Sequence, residues 1–398
     1  MKTDGVMKEA YLHLLLASFV IAGCTSYTAR VAQINHTLDS LQTIFAPDQR
    51  TAVFNVEAAK DGQVIVLRGD VDRGEAKEAI MQAVQAYHGT RLIDSITVLP
   101  EAALEPNTLG IVDVSVTSLY AAPRYKSELV DQVLLGHPVR VLKEYHGWYY
   151  VKSEPELPYD KGYLGWVDCD NIVRFNASGF ADYVGGRKLI VTSTYTSLRN
   201  SPSGGAVVSD AVMRDYLKPI STAGVVFKIQ LPDGRIAYVA SSDVEYYDQY
   251  MAAHPPTPDG IENTAEKFLG FPYLWGGTST KGFDCSGFVK TVYGMNGINL
   301  PRDASEQVDI GTTVDTDSDF TNLRKGDLLF FGQDAGSGKQ EKIVHVAIYL
   351  GDGYFIHSSG LVRISSLVKT DSAFDQYDVQ RFVTAKRILL QQSPGVGN

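Results

Sequence analysis

Three residues in the C-terminal third have the types and spacing that acyl-transfer chemistry needs. Cys285, Phe288, Val289 and Val292 follow an i, i+3, i+4, i+7 spacing, which predicts one apolar stripe on a helix beginning near Asp284, a favoured N-cap type. Cys285 then sits in the first turn, where free backbone N–H groups favour a thiolate and supply donors for a developing oxyanion. A lone cysteine on an apolar helix face is more often a buried packing residue, so a base must be sought. Ile343 to Leu350 reads as a strand carrying His345, Gly351-Asp352-Gly353 as a hairpin turn, and Tyr354 to Ser358 as the return strand carrying His357. With residues 351–353 as the loop, Leu350 opposes Tyr354, Ala347 opposes His357, and His357 lies diagonal to His345 on one face. One histidine is then able to act as base to Cys285 while the other orients its ring. Either histidine alone is more often a packing residue; the matched pair beside a helix-cap cysteine reverses that preference.

The rest of the composition excludes competing chemistries. The chain has 398 residues, 44% hydrophobic and 21% charged, enough for several folded domains with sizeable cores. Its formal net charge is −10 with acidic and basic residues mixed, so there is no basic stripe for nucleic acid. The three cysteines, Cys24, Cys169 and Cys285, form neither a disulfide framework nor a CxxC pair, and no HExxH spacing occurs. No metal and no cofactor are expected. Lys8 precedes the apolar run Leu14 to Ile21, which ends in Ala22-Gly23-Cys24. This layout is that of a secretory signal, and Ile-Ala-Gly-Cys resembles a bacterial lipobox. It implies a lipid anchor at Cys24, hence a membrane-attached protein of the cell envelope on the periplasmic side; a plain signal peptide is the alternative. A monomer is expected.

The elements that must position the site fall in sequence order. Residues 25–108 read as a small mixed α/β module: alternation from Ala52 to Val71 around Asp61-Gly62, helical spacing from Glu75 to Tyr87, and alternation from Ile93 to Leu99. That β-β-α-β order is similar to the BON modules of bacterial envelope proteins. From 109 to 180 short strands follow, at Val114–Ser118, Pro138–Glu144, Trp148–Val151 and Gly162–Val167, and they resemble a bacterial SH3-like barrel. Residues 181–250 read as a diverged second copy, with Ser197-Leu198-Arg199 corresponding to Ser118-Leu119-Tyr120. A single larger β domain is the alternative. The proline-rich stretch His254 to Gly260 marks a boundary, and 255–393 reads as helices followed by strands, an α+β domain.

Three ordered motifs, Asp284-Cys-Ser-Gly-Phe288, Arg324-Lys-Gly-Asp-Leu-Leu-Phe-Phe-Gly332 and His345-Val-Ala-Ile-Tyr-Leu-Gly351, resemble the NlpC family of bacterial cell-wall cysteine peptidases. The resemblance implies a papain-like catalytic domain with Cys285 as nucleophile, His345 as base and His357 as the residue that orients it. With the tandem barrels, the arrangement over 110–390 is similar to γ-D-glutamyl-L-diamino acid endopeptidases that recycle wall peptides. That likeness implies a cell-wall-derived peptide substrate with a free N-terminal L-Ala. It also implies substrate contacts from Glu128 and Tyr163 in the first barrel and from Tyr273, Trp275, Asp284 and Ser286 on the catalytic side. Ala304 departs from the serine that similar enzymes often carry after Pro301-Arg302-Asp303. An inactive wall-binding module, or an amidase or acyl transferase on the same scaffold, are the competing readings. Cys169 is expected to be structural.

Overall fold

The computed structural model describes residues 27–87, 91–156, 158–317, 319–333 and 342–389; Cys24 and its preceding apolar run lie outside them. The chain divides into two compact units, residues 1–105 and 106–398.

The first unit opens with a helix, Tyr27–Phe45, that the sequence reading passed over. Ile34, Leu38 and Leu41 bury one face of it at spacings of four and three. The strands Phe54–Asp61 and Val64–Val71 pair antiparallel, with Asp61 opposite Val64 across the Gly62-Gln63 turn. Gly62 has φ +57, which favours glycine there. The helix Gly74–Gln85 then crosses over, so the strand Leu92–Val98 joins Val64–Val71 in parallel. The expected β-β-α-β order holds, with one helix added in front.

The second unit contains two seven-stranded sheets that repeat each other. In the first the spatial order is Ile172–Phe175, Leu109–Val112, Pro138–Tyr145, Trp148–Ser153, Leu164–Asp168, Val116–Tyr120, Leu129–Leu134. In the second, the strands taken in the same chain sequence occupy the same order: Val244–Tyr246, Leu189–Val191, Tyr216–Ala223, Val226–Gln230, Ile236–Ala240, Tyr195–Ser201, Gly204–Val212. Even the pairing of Tyr120 with Trp166 has its counterpart in Arg199 with Tyr238, and Leu119 and Leu198 are both fully buried. The outer strands of the first sheet, Leu109–Val112, Leu129–Leu134 and Ile172–Phe175, were not anticipated from sequence.

The C-terminal part of this unit forms an antiparallel sheet of six strands, ordered Thr312–Val314, Phe382–Arg387, Leu328–Gln333, Lys342–Gly351, Tyr354–Ser359, Leu361–Ser366. The cysteine helix, Cys285–Met295, lies on it, and Phe288, Val289 and Val292 share a core with Phe330, Val346, Ile348 and Ile356. Every residue of this helix is buried, not the single stripe expected from its spacing. Its other side meets residues of the segments that carry the two seven-stranded sheets: Lys290 Nζ bonds Asp160 Oδ2 at 2.7 Å, and Gly294 packs against the Arg214 guanidinium. The hairpin register also differs in one detail. A bulge between Tyr349 and Gly351 puts Gly351, not Leu350, opposite Tyr354, leaving Asp352-Gly353 as the turn. The bulge absorbs the extra residue, so Ile348 still faces Ile356 and both histidines keep their face.

Candidate active site

Asp284 caps the cysteine helix. Its Oδ1 accepts from Gly287 N at 2.7 Å and its Oδ2 from Gly276 N at 3.0 Å, tying the loop before the helix to its first turn. A Cβ on Gly287 would stand 2.0 Å from the Gly277 carbonyl oxygen, so Asp-Cys-Ser-Gly needs its glycine for this close approach. Cys285 opens the helix and is 8% exposed. Burial, with Asp284 alongside, pushes its thiol up to about 12, against the favourable backbone N–H groups of Val346 and Ser286. Burial and the helix start thus act on the thiol in opposite directions, burial being the larger.

The strands Lys342–Gly351 and Tyr354–Ser359 bring the two histidines together. His345 Nε2 lies 2.9 Å from His357 Nδ1, which leaves Nδ1 of His345 as the nitrogen available to the cysteine. Burial, then the neighbouring His357, holds His345 down to about 3. Behind them stands a carboxylate that nothing in the sequence marked. Asp378, on the short helix Gln376–Gln380, is buried, with Oδ2 at 3.3 Å from His357 Nδ1 and 3.8 Å from His345 Nε2. Its Oδ1 accepts from Arg381 Nη2 at 2.6 Å and Nε at 3.0 Å. Burial alone would raise Asp378; the His357 hydrogen bond, His345 and Arg381 outweigh it and keep the carboxyl near about 2. On the far side of His357, Nε2 lies 3.2 Å from Ser365 Oγ and 3.3 Å from Arg363 Nε.

The residues expected on the substrate side are each engaged. Glu128 and Trp275, both exposed, meet through a Trp275 Nε1 hydrogen bond to Glu128 Oε1 at 3.0 Å, joining the first sheet's segment to the loop before Cys285. Tyr163 is buried and its hydroxyl donates to Asp303 Oδ2 at 3.2 Å. Tyr273 is half-buried, and burial together with Cys285 and Asp284 raises its hydroxyl above the usual range. Ser286 Oγ donates to Asp284 Oδ1 at 3.3 Å. The charge of Asp284 is matched by Arg302, whose Nη2 reaches Asp284 Oδ2 at 2.6 Å and whose Nε reaches Asp131 Oδ1 at 2.6 Å. Arg302 Nη1 lies 4.0 Å from Asp303 Oδ1 as well. Three carboxylates thus surround one guanidinium, which leaves the neighbourhood acidic. Glu128, Tyr163 and Asp284 each have a partner of their own: Trp275, Asp303 and Arg302. Asp131 and Arg302 had no local signal: they are 171 positions apart.

Comparison with known proteins agrees with this geometry. Residues 270–387 match the model of the NlpC/P60 family, and residues 115–172 match the bacterial SH3 domain. A gamma-D-glutamyl-L-lysine dipeptidyl-peptidase of Bacillus cereus is 35% identical over 244 residues, 61% of this chain and 71% of the relative. The protein of the same name from Bacillus subtilis is 32% identical, over 62% of this chain and 77% of the relative. The chain belongs to the NlpC/P60 family. A crystal structure of an NlpC/P60 family protein from Bacillus cereus superimposes with a TM-score of 0.60 at 29% identity, over 71% of this chain and all of that one. The chain is a cell-wall peptidase by this kinship, and its mixed α/β architecture with a papain-like catalytic domain follows.

In this NlpC/P60 protein, His345, His357 and Asp378 also form the cluster with ligand atoms within 4.8 Å of one another that a metal would use. Their atoms are turned on each other instead: a direct 2.9 Å contact between the two ring nitrogens is too short to admit a tetrahedral ion between them. The donor set fits proton transfer better than metal binding.

Proposed function

We propose that the protein is a cysteine endopeptidase that hydrolyses the γ-D-glutamyl–diamino acid bond of wall-derived peptides bearing a free N-terminal L-Ala. The observation that carries this reading is the buried cysteine at a helix start, bonded to the backbone N–H of Val346 that follows His345, with His345 in turn on His357, in a chain whose relatives are gamma-D-glutamyl-L-lysine dipeptidyl-peptidases. Cys285 passes its proton to His345 Nδ1 as sulfur attacks the γ-carbonyl, and the oxyanion accepts from N–H groups at the helix start. The imidazolium then protonates the leaving amine, a thioester remains on Cys285, and His345 activates the water that releases the acid. His357 keeps the His345 ring in register through its 2.9 Å contact.

Glu128, Tyr163, Tyr273, Trp275, Asp284 and Ser286 are proposed to line the substrate side. The excess of carboxylates around Arg302, with exposed Glu128 on Trp275, suits an ammonium group. Amide-linked stems, still on glycan, lack that charge. Incubating L-Ala-γ-D-Glu-L-Lys and its N-acetylated form with the enzyme, with mass detection, tests this. Cleavage of the free peptide alone is expected; equal cleavage of both would remove the amine pocket.

The domain reading belongs to the same proposal. Strand-for-strand repetition of the first sheet supports taking 109–180 and 181–250 as two SH3-like barrels, followed by 255–393 as the peptidase and preceded by 25–108 as a mixed module. Cys24, after Ala22-Gly23, is proposed as a lipid anchor to the envelope, periplasmic in orientation. Labelled palmitate should enter the wild type and not Cys24→Ala; label in neither would dismiss the anchor.

A further inference from the structure

The proposed cysteine chemistry creates a positive charge at a buried position. His345, His357 and Cys285 are all buried. When the Sγ–H bond breaks and an Nδ1–H bond forms on His345, the pair becomes thiolate and imidazolium, with no proton leaving it. The new charge is felt by every ionic group facing the two rings. These are Asp378 and Arg381 at the end of the chain, Asp375 at 4.0 Å from His357 Nε2, and Arg363 on the neighbouring strand Leu361–Ser366. On the cysteine side stand Asp284 and Arg302, already paired with each other.

Among these, Asp378 is the carboxylate in reach of both rings, 3.3 Å from His357 Nδ1 and 3.8 Å from His345 Nε2. It is fixed from two directions: its own N–H bonds the Asp375 side chain at 3.1 Å, and Arg381 holds its other oxygen. We propose, resting on the peptidase reading above, that Asp378 is a positioning residue of the hydrolysis, locking the His345–His357 pair in register and stabilising the imidazolium formed when Cys285 gives up its proton. Asp378 stays ionised throughout and exchanges no proton. At a buried site this one charge counts for more than it would at the surface. Arg381 works on His345 in the opposite sense, since its positive charge disfavours the imidazolium while its hydrogen bonds hold Asp378.

The charge of Asp378 gives the test. In the full-length protein, alkylation of Cys285 by iodoacetamide at pH 7, followed by peptide mass mapping, reads how readily the ion pair forms without any substrate. Asp378→Asn, which keeps the shape and removes the charge, should slow alkylation at least about tenfold, which corresponds to one pKa unit in His345. A rate for Asp378→Asn within twofold of wild type would overturn the proposal and leave Asp378 a packing residue. If Asp378→Asn does not fold, Asp378→Ser, which also removes the charge, decides on the same criterion. Failure of the peptidase reading is distinguishable, because it would appear as wild-type protein that is alkylated as described yet cleaves no wall peptide.

Discussion

Replacing Arg302 with methionine probes the junction between the first seven-stranded sheet and the cysteine helix. The guanidinium is 3% exposed and serves Asp131 Oδ1 at 2.6 Å, Asp284 Oδ2 at 2.6 Å and Oδ1 at 3.2 Å, and Ser286 Oγ at 3.1 Å. Methionine fills most of the volume but leaves two buried carboxylates without a cation. Removing one partner of a buried pair costs about 3–5 kcal/mol, so Arg302→Met should lose at least that much. Asp131→Asn removes one of the two stranded charges, and in the double variant it should recover part of the loss. A coupling of about 2 kcal/mol is expected, within the usual range for residues in direct contact. Urea unfolding followed by tryptophan fluorescence is the assay, because Trp148, Trp166 and Trp275 all belong to the unit 106–398 and report on it alone. Additive effects within about 0.5 kcal/mol would refute the shared guanidinium.

Glu128→Ala should lower kcat/KM for free peptides by about 10- to 100-fold, the loss of one charge-assisted contact, while iodoacetamide alkylation of Cys285 stays unchanged; a fall in alkylation would show that Glu128 acts through the nucleophile instead. Burial holds His137 down to about 4, with its Nε2 on the Arg214 carbonyl at 3.0 Å. The unfolded chain therefore binds one more proton there between pH 6.5 and about 4, and stability contributed by this residue is lost as pH falls through that window. In His137→Gln the drop in unfolding free energy from pH 7 to pH 5 should shrink by about 2 kcal/mol in urea titrations, and an unchanged drop would dismiss the assignment. Cys169→Ala should leave hydrolysis intact, since Cys169 is half-exposed in the short turn Cys169–Asn171 after the strand Leu164–Asp168 and burial raises its thiol to about 11.

What was legible in the sequence followed from local order. The spacing of Cys285, Phe288, Val289 and Val292 marked the helix, and the Gly351–Gly353 turn marked the hairpin that pairs His345 with His357. A bulge changed one opposition in that hairpin without moving either histidine, because the extra residue at Leu350 is taken up locally. The helix Tyr27–Phe45 was missed although Ile34, Leu38 and Leu41 are well spaced, since polar residues dilute its apolar face. Asp378 and Arg302 were out of reach for a different reason. Their roles depend on partners brought close by the sheet and by the packing of the first seven-stranded sheet, at separations of 18 to 171 residues. Asp284, read from the motif as a substrate contact, is also paired with Arg302 in the structure.

The most direct test of the account is hydrolysis of L-Ala-γ-D-Glu-L-Lys by purified wild type and Cys285→Ala, with mass identification of both products. Wild type should release L-Ala-D-Glu and lysine, and the variant, with its fold verified by tryptophan fluorescence, should release neither above a few per cent of the wild-type rate. Cleavage at another bond, or turnover that survives in Cys285→Ala, would contradict the assignment of Cys285 as the nucleophile at the γ-D-glutamyl carbonyl.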